Sequence, residues 1–327
     1  MKSQQELFDR FLQELKKERE KIDNATPAGL YKPVSYTLDM GGKRLRPVLV
    51  LTGANLFSEN IEEALPAATA IEVFHNFTLL HDDLMDNASV RRGKPTVHLK
   101  FNPNTAVLSG DAMMILANEY LANSPAEKLP ELLKLFSRTA LEVCEGQQYD
   151  MDFESRMDVT VDEYIEMIRL KTAVLIAGAL KLGAIIGNAP EKQAKLLYDF
   201  GINIGLAFQL QDDWLDVYGD PNVFGKKIGG DILSNKKTFL LLKAQEKLQG
   251  EKKKQLQNWI TKESFLSEEK IEAVTQLYNE AAVSEEAQQL MLHYHDEALK
   301  CLAQLEVEED NKKDLVALAE QVMSRIS

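Results

Sequence analysis

Cysteine is nearly absent from this sequence, and basic residues are outnumbered by acidic ones. The 327 residues include two cysteines, Cys144 and Cys301, and neither belongs to a CxxC pair. This scarcity excludes a disulfide framework, argues against a zinc site and favours a reducing, cytoplasmic compartment. The 38 basic and 51 acidic side chains give a net charge of −13, which argues against general nucleic-acid binding because that requires a broad basic surface.

Helix breakers and long apolar runs are scarce as well. Only 10 prolines and 17 glycines occur, and residues that favour helices fill most of the chain. Few segments alternate apolar and polar residues, so we expect an all-α protein. The most apolar stretch, residues 173–187, has 15 residues and an internal lysine, which predicts a buried core helix and no transmembrane span. No shift in composition divides the chain, so we expect one domain over residues 1–327.

Local patterns indicate where helices begin and end. An apolar stripe recurs at helical spacing among charged residues near the N-terminus, at Phe8, Phe11, Leu12 and Leu15. The stripe predicts an amphipathic helix and not a signal peptide, which needs an uninterrupted apolar region. Clusters of Gly, Pro and Asn predict loops at residues 26–32, 87–96, 123–130 and 219–230. The charge-rich residues 246–270 are expected to form a solvated helical edge.

Paired aspartates occur twice, in LLHDDLMD at residues 79–86 and in QLQDDWLD at residues 209–216. On a helix, Asp82 and Asp86 lie on the same face, with Asp83 displaced to one side. The same spacing recurs in the second motif, at Asp212, Asp213 and Asp216. Like charges at this spacing destabilise a helix by roughly 0.2–0.5 kcal/mol per pair. A counter-ion is therefore expected, and Mg²⁺ suits the site because one or two carboxylates, waters and substrate phosphate complete its octahedron. One copy alone would equally fit a solvated helix end, but two copies favour a metal site.

Basic residues cluster near the first acidic motif. Lys43 and Arg46 follow the Gly41-Gly42 pair and lie three residues apart, and Arg91-Arg92-Gly93-Lys94 comes shortly after Asp86. The planar guanidinium group suits bidentate contacts to phosphate, although a solubilising surface patch is the alternative for each group. GxxxxGK[ST] does not occur, which excludes a nucleotide-binding P-loop.

Six segments occur in an order that resembles the trans-isoprenyl diphosphate synthases. They are GGKRLRP, HDDLMD, SVRRGKPT, Lys171-Thr172, FQLQDD and GKKIGGDILSNKKTF, and together they span about residues 40–240. The resemblance implies the isoprenoid synthase fold, a helical bundle around a central active-site cavity, and a homodimer. It also implies a short-chain prenyltransferase that condenses isopentenyl diphosphate with dimethylallyl, geranyl or farnesyl diphosphate through ionisation, condensation and elimination.

The family's functional residues transfer to matching positions of this sequence. The resemblance implies an isopentenyl diphosphate site made of Lys43, Arg46, His75 and Arg92. It implies an allylic diphosphate site made of Arg91, Lys171, Thr172, Gln209, Lys226 and Lys236. The last two are chosen as the first lysine of the doublets Lys226/Lys227 and Lys236/Lys237. Ligands of three Mg²⁺ ions would be Asp82, Asp86 and Asp212, with Asp83, Asp213 and Asp216 completing two acidic banks. Catalysis would depend on Asp82, Asp86, Arg91, Lys171, Asp212 and Lys226. Released pyrophosphate takes the final proton in the family, so His81 is expected to support the site and not to act as a base.

Product length is expected to depend on residues that precede the first acidic motif. Phe77 lies five residues before Asp82, about 7.5 Å along a helix axis, and its neighbour Thr78 is small. Phe74 would form part of a tunnel floor with Met113 or Met114 opposite, unless both phenylalanines are ordinary core residues. A lone aromatic residue at the fifth position, with an uninterrupted DDLMD, resembles archaeal-type geranylgeranyl diphosphate synthases. Bacterial farnesyl diphosphate synthases carry two extra residues there. We expect a twenty-carbon product, with fifteen carbons as the alternative.

Three other classes fit the sequence less well. Terpene cyclases normally lack both a second DDxxD and the GGKRLRP segment, and non-catalytic synthase subunits have damaged acidic motifs. A di-iron carboxylate protein would need a second partner for Glu72-x-x-His75, but none of the other candidate histidines has a glutamate three positions earlier: His98, His293 and His295. We expect His293 and His295 to be exposed to solvent.

Overall fold

The described part of the chain is all-α apart from one very short hairpin. The structure is a computed structural model that describes residues 1–220 and 228–323. Its first part contains α1 (Gln4–Asp23), α2 (Ala28–Leu38), α3 (Leu45–Asn55), a 3-10 turn (Glu62–Ala64) and α4 (Leu65–Met85). Next come β1 (Val90–Arg91), β2 (Lys94–Pro95), α5 (Val97–Lys100), α6 (Pro103–Leu121), α7 (Leu129–Ser155), α8 (Val161–Ile168) and a π-helical segment (Arg169–Ala173).

The remaining helices complete the chain. They are α9 (Val174–Ile186), α10 (Glu191–Tyr218), α11 (Gly230–Leu233), α12 (Phe239–Lys247), α13 (Gly250–Thr261), α14 (Ser267–Glu280), α15 (Val283–Ala303) and α16 (Glu309–Met323). Among the described residues, no helix is both long and apolar enough to cross a membrane. The expected core helix at residues 173–187 is confirmed, because α9 runs through it and its apolar side chains are buried.

Helix ends follow local chemistry. Ser3 caps α1 through a reciprocal pair of hydrogen bonds with Glu6, and Thr160 caps α8 in the same way with Glu163. Such capping boxes satisfy backbone N–H groups that have no partner in the first turn. The amphipathic N-terminal helix is confirmed, and it buries Leu7, Phe11, Leu15 and Ile22. Leu12 differs from expectation, since it is 38% exposed on the outer edge of the stripe.

The chain forms two compact units that are interleaved in sequence. The first comprises residues 1–140, 178–198 and 306–314. Within it, α3 and α9 approach so closely that a Cβ atom at Gly183 would lie 1.9 Å from the carbonyl oxygen of Val50. A side chain at this position would force the helices apart, so glycine is required for their packing. The expectation of one domain over residues 1–327 stays a prediction.

The second unit comprises residues 141–177, 199–305 and 315–327. Its described core is formed by apolar side chains that include Tyr164, Met167, Leu210, Phe239, Leu242 and Met291. Gly205 allows α10 to contact the backbone of the π-helical segment, because a Cβ atom there would lie 2.5 Å from Cα of Ala173. This unit contains the second acidic motif, on α10.

Several local expectations are wrong. The loop expected at residues 26–32 ends early, because α2 begins at Ala28 after an extended Pro27. The loop expected at residues 123–130 likewise gives way to α7 at Leu129. Residues 246–270 are not wholly solvated, since Leu256 and Lys270 are each 1% exposed. His293 is exposed as expected, but His295 is buried, because its position on α15 faces the core.

Candidate active site

The segment before α3 is held in an unusual backbone conformation by a buried ion pair. Gly41 and Gly42 have φ angles of 82° and 117°, and Arg44 is left-handed with a φ of 48°. The Arg44 guanidinium group donates to the Glu72 carboxylate and, at 2.6 Å, to the carbonyl oxygen of Leu38. Both charged side chains are buried. The sequence suggests only an iron-ligand role for Glu72, and no local pattern links it to Arg44, which lies 28 residues away.

Arg46 and His75 form a partly buried contact beside this ion pair. An Nη atom of Arg46 lies 3.0 Å from Nε2 of His75, which accepts the hydrogen bond. Burial, together with Arg46, Arg92 and other nearby arginines, lowers the pKa of His75 well below its usual value, so the ring is neutral. Burial also lowers the pKa of Arg46 to about 10, although the Glu72 carboxylate opposes this effect. Nε of Arg46 is buried without a hydrogen-bond partner in the described structure, so this donor is available to an anion.

The hairpin after the first acidic motif contacts the segment before α3. Val90 pairs with Pro95 and Arg91 with Lys94, which leaves Arg92-Gly93 as a two-residue turn with positive φ angles at both positions. The Arg92 guanidinium group donates to the carbonyl oxygen of Gly41. A Cβ atom at Gly42 would overlap this group, lying 2.5 Å from Nη1 of Arg92. Glycine at position 42 therefore allows Arg92 to approach the backbone.

Lys94 of the hairpin also contacts Asp39, at the beginning of the segment before α3. Nζ of Lys94 donates to the carbonyl oxygen of Asp39 at 3.0 Å, and the Asp39 carboxylate lies 2.7 Å from an Nη atom of Arg19. Burial opposes ionisation of Asp39, but the charges of Arg19 and Lys94 outweigh it and lower the pKa of Asp39. Lys43 is exposed and borders a surface depression with Gln4, Gln5 and Phe8 of α1. The first unit thus brings together Arg46, His75 and Arg92, with Lys43 at its surface.

The first acidic motif ends α4. Asp82 and Asp83 lie in the last turn and Asp86 is the C-cap residue, whose backbone N–H donates to the carbonyl oxygen of Asp82 at 2.9 Å. Asp83 is buried and accepts hydrogen bonds at 2.7 Å from Nε of Arg91. Nη2 of Arg91 lies 3.7 Å from Oδ2 of Asp82. Burial opposes the charge of Arg91, but Asp83 and Asp82 outweigh it and raise the pKa of this guanidinium group.

The second acidic motif lies on α10, where a buried hydrogen-bond network surrounds Asp213. Its carboxylate accepts from the Tyr164 hydroxyl at 2.6 Å and from Nε2 of Gln209 at 3.0 Å. Nζ of Lys236 lies 3.6 Å from the same carboxylate, and the hydroxyl of Thr172 donates to Oε1 of Gln209 at 3.1 Å. The structure therefore brings together the expected residues Thr172, Gln209, Asp213 and Lys236. Asp212 has no side-chain hydrogen bond to another described residue and is half-buried.

Lys171 lies in the π-helical segment, which widens the helix by one residue at this position. Its Nζ atom donates to Asp150 on α7 at 2.5 Å. The close approach depends on Gly146, where a Cβ atom would lie 2.3 Å from the backbone nitrogen of Lys171. Single-turn π-helices occur frequently at functional sites because they redirect side chains. The family resemblance implies that Lys171 binds the allylic diphosphate, but no local sequence pattern indicates Asp150 as its partner.

Asp231 adds a fourth carboxylate to those of Asp212, Asp213 and Asp216. The sequence predicts no role for it. The Asp216 carboxylate accepts the backbone N–H of Asp231 at 2.9 Å, and Nζ of Lys236 lies 3.7 Å from Oδ1 of Asp231. Burial raises the pKa of Asp231 to about 7, and the Asp213 and Asp216 charges add to this effect, while Lys236 opposes it. Burial likewise raises the pKa of Asp216. The only sequence signal was the position of Asp231 inside GKKIGGDILSNKKTF.

The structure describes only the second of the two lysine doublets. Lys226 and Lys227 lie outside the described residues. In the second doublet, Lys236 is directed toward Asp213 and Asp231, whereas Lys237 is buried and donates to the backbone oxygen of Asn235 at 3.3 Å. Nearby acidic groups, with Asp213 the largest contributor, raise the pKa of Lys236, so it is charged.

Aromatic rings line one side of α4 before the acidic motif. The Phe77 centroid lies 5.6 Å from that of Phe74, which in turn lies 5.5 Å from that of Phe136 on α7. Phe74 and Phe136 are buried, Phe77 is half-buried, and the Thr78 hydroxyl donates to the carbonyl oxygen of His75 at 2.8 Å. Met113 is buried and Met114 half-buried on α6. Phe136 escaped sequence analysis because it is 62 residues from Phe74.

His81 is held against α6. Its Nε2 atom lies 3.2 Å from the carbonyl oxygen of Val107, and its ring lies 4.8 Å from that of Phe77. A Cβ atom at Gly110 would overlap the imidazole, so glycine there admits the ring. This arrangement agrees with a supporting role.

The donor chemistry of the acidic motifs fits Mg²⁺. In the described parts of the chain, no three carboxylate, thiol or imidazole groups converge into a metal-binding cluster. Mg²⁺ commonly uses one or two carboxylates and takes its other oxygens from water and substrate phosphate. Asp82 and Asp86, at the end of α4, offer such oxygen donors, as does Asp212 on α10.

The chain is similar to known proteins over most of its length. The profile of the polyprenyl synthetase family matches residues 27–280. A geranylgeranyl diphosphate synthase of Methanosarcina mazei is 44% identical over 224 residues, which cover 68% of this chain and 69% of that protein. The crystal structure of a geranylgeranyl pyrophosphate synthase is 48% identical, covers 99% of both chains and superposes with a TM-score of 0.93.

A further solved structure contains ligands. It is a polyprenyl synthase from Caulobacter crescentus complexed with calcium and isoprenyl diphosphate, 28% identical to this chain. The match covers 99% of this chain and 98% of that one, with a TM-score of 0.86. These structural similarities identify the helical architecture as the isoprenoid synthase fold.

Proposed function

The chain belongs to the polyprenyl synthetase family and is a prenyltransferase, and from this premise we propose that it condenses isopentenyl diphosphate with an allylic diphosphate to form geranylgeranyl diphosphate. Farnesyl diphosphate is the alternative product. The observation that carries the proposal is the partly buried Arg46–His75 pair, which leaves the buried Nε–H group of Arg46 available to an anion in the same unit as the first acidic motif. The geranylgeranyl diphosphate synthases similar to this chain support the product.

Isopentenyl diphosphate binds, in this proposal, to Lys43, Arg46, His75 and Arg92. Arg46 and Arg92 supply positive charge, and Lys43, which is exposed, is proposed to contact the incoming diphosphate. His75 is neutral, so its contribution is to fix the orientation of the Arg46 guanidinium group. Preorganised donors bind a diphosphate tightly because little conformational freedom is lost on binding.

The allylic diphosphate binds at the acidic motifs. Arg91 is held by Asp83 and Asp82, and it contacts the allylic diphosphate beside them. In the second unit, Lys171, Thr172, Gln209 and Lys236 serve the same substrate, and Lys226 is assigned there from the sequence alone. Asp213 and Asp216 orient these groups, because their carboxylates already accept hydrogen bonds from Tyr164, Gln209 and the Asp231 backbone.

Magnesium is the proposed cofactor, with Asp82, Asp86 and Asp212 as its protein ligands and three ions per site. When bound, Mg²⁺ supplies Lewis-acid stabilisation of the negative charge on the diphosphate. The oxygen-only donor set supports this choice, and a solved relative complexed with calcium and isoprenyl diphosphate supports a divalent cation as cofactor. Asp83 is not proposed as a ligand, since its carboxylate binds Arg91.

The chain's own cations assist the departure of pyrophosphate. As the C1–O bond of the allylic substrate breaks, its electron pair moves to pyrophosphate, and Arg91, Lys171 and Lys236 stabilise that charge. The double bond of isopentenyl diphosphate then attacks C1, and loss of a proton to the released pyrophosphate restores an alkene. No side-chain base is needed, which agrees with the position of His81 against the Val107 carbonyl group. Water must be excluded from the site, because it would otherwise react with the cation.

Product length is proposed to depend on Phe77, Thr78 and Phe74. Phe77 is half-buried ahead of the first aspartates, and the buried ring of Phe74 supports it one turn deeper. Thr78 offers little volume beside them. The tight contact of Phe74 with Phe136 argues that Phe74 is a rigid support of this floor and that Phe77 presents the blocking surface.

A homodimer is proposed as the working assembly. Large apolar side chains are exposed along one side of α6 at Val107, Leu108 and Ile115, which are 45%, 60% and 63% exposed. A stripe of this kind is costly in water and suits burial against a second copy of the chain. A Leu108→Glu/Ile115→Glu variant should be monomeric in light scattering, and unchanged mass would exclude this face as the interface. The isolated cysteines support a cytoplasmic location.

One experiment tests the reaction directly. Purified protein is incubated with Mg²⁺, labelled isopentenyl diphosphate and, separately, dimethylallyl, geranyl and farnesyl diphosphate. The dephosphorylated products are then separated by chromatography. We expect a twenty-carbon alcohol as the main product. No condensation with any starter would refute the proposed reaction, and fifteen-carbon material as the main product would replace the proposed product with its alternative.

A further inference from the structure

A buried lysine outside all of the sequence motifs contacts the loop that carries Lys236. Lys270, in the first turn of α14, is 1% exposed. Its Nζ atom donates to Oδ1 of Asn235 at 2.8 Å and lies 3.3 Å from the carbonyl oxygen of Leu233. The ammonium group also lies 4.2 Å from the centroid of the Phe265 ring. A lysine is almost never buried so completely unless its charge has specific partners, so its position requires an explanation.

The partner of Lys270 shapes the loop around Lys236. Asn235 has a left-handed backbone with a φ of 55°, and its Nδ2 atom donates to the carbonyl oxygen of Ile260 at 3.0 Å. The Asn235 side chain therefore joins α13 and α14 to a strained turn. The next residue is Lys236, whose Nζ atom lies 3.6 Å from Asp213 and 3.7 Å from Asp231. Lys270 and Asn235 thus fix the backbone from which Lys236 extends.

The other end of the loop is held by the same region of the fold. Gly229 has a φ of 86°, and a Cβ atom there would lie 2.5 Å from Cδ1 of Ile271, the neighbour of Lys270. The backbone N–H of Gly229 donates to the carbonyl oxygen of Asp216 at 2.6 Å. Residues 229–236 are consequently held between α10, which carries the second acidic motif, and the first turn of α14.

We propose that Lys270 is a positioning residue for binding of the allylic diphosphate, acting through Asn235 to hold Lys236 beside the second acidic motif. This inference rests on the proposed role of Lys236. Lys270 does not touch substrate. Loss of the Lys270 Nζ atom removes the hydrogen-bond donor to Oδ1 of Asn235. The left-handed turn can then relax, which displaces the Lys236 ammonium group. A displacement on the order of 1 Å in a catalytic site costs up to about 100-fold in rate.

Steady-state kinetics of four variants test this inference. Lys270→Met removes the ammonium group, and Asn235→Gly removes the bridging amide but keeps the left-handed backbone accessible. Both should raise KM for the allylic diphosphate or lower kcat by about 10-fold to 100-fold, with KM for isopentenyl diphosphate within about twofold. Lys236→Met should show the same pattern. Lys312→Met is the matched control, because Lys312 is also buried, at 4% exposed, but pairs with Glu309 on its own helix.

Binding supplies a readout that does not depend on turnover. Calorimetric titration with inorganic pyrophosphate and Mg²⁺ should show weaker binding by Lys270→Met and Asn235→Gly than by Lys312→Met at equal melting temperature. If Lys236→Met is impaired while both Lys270→Met and Asn235→Gly match the control, the positioning role is wrong. An unimpaired Lys236→Met would instead refute the role proposed for Lys236 and, with it, this inference. If Lys270→Met does not fold, Asn235→Gly decides the question.

Discussion

Replacement of Glu72 with glutamine removes one charge from the buried pair beside the candidate isopentenyl diphosphate site. Glu72 is 2% exposed, and its carboxylate accepts from Arg44 and, at 2.8 Å, from Nδ2 of Asn76. Glutamine conserves the shape of the side chain but not its charge. The buried Arg44 guanidinium group would then keep the Leu38 carbonyl oxygen as a partner but would lose its counter-charge.

The structure allows the size of this effect to be worked out. Removal of one partner from a buried ion pair destabilises a protein by about 3–5 kcal/mol, because the remaining charge stays buried. At about 2 °C of melting temperature per kcal/mol for a large chain, Glu72→Gln should melt roughly 6–10 °C below the unmodified protein. The Arg44–Glu72 pair also holds the backbone that leads into Arg46, so KM for isopentenyl diphosphate should rise as well.

Two controls isolate the buried charge in the melting and kinetic measurements. Glu62→Gln breaks the Arg10–Glu62 pair, where Glu62 is 56% exposed, and should cost less than about 1 kcal/mol. An Arg44→Met/Glu72→Leu variant removes both charges and should be more stable than Glu72→Gln alone. A melting temperature for Glu72→Gln equal to that of Glu62→Gln would refute this account of the segment before α3. A double variant that is less stable than Glu72→Gln would refute it as well.

Three other predictions concern the metal, pH and product length. Asp82→Ala and Asp212→Ala should each lower turnover by several orders of magnitude, and EDTA should abolish activity that Mg²⁺ restores; full turnover by either variant would contradict the role of both acidic motifs. The pKa of His75 is lower in the folded state than its unfolded value of about 6.5, so its contribution to stability is present above that pH and lost below it. Between pH 7 and pH 5, the melting temperature of His75→Gln should therefore fall less than that of the unmodified protein. An equal fall in both proteins would exclude a buried neutral histidine. Phe77→Ala should lengthen the product and Thr78→Phe should shorten it, as measured by chromatography of the dephosphorylated alcohols, and unchanged products in both variants would refute the tunnel floor.

Much of the fold was available from local sequence signals. Scarce glycine and proline, helix-forming composition and the apolar stripe at the N-terminus predict the α-helices, and the structure confirms them. The errors fall at element boundaries, as at Ala28 and Leu129, where the neighbouring Pro27 and Pro130 fit either a loop or the start of a helix. Spacing also determined which aspartates share a helix face, because the helical repeat fixes that relation without reference to the rest of the chain.

The partners of the candidate site residues could not be predicted in the same way. Glu72 was considered as an iron ligand and Lys270 was placed on a solvated edge, yet both are buried with specific partners. Asp231 and Phe136 had no assigned role, although the first contacts Lys236 and the second supports Phe74. The sequence by itself determined the helices and which chemical groups lie on one face of each. Only the tertiary structure decided which charges are buried together, because burial and pairing depend on residues distant in sequence whose approach is set by the packing of helices.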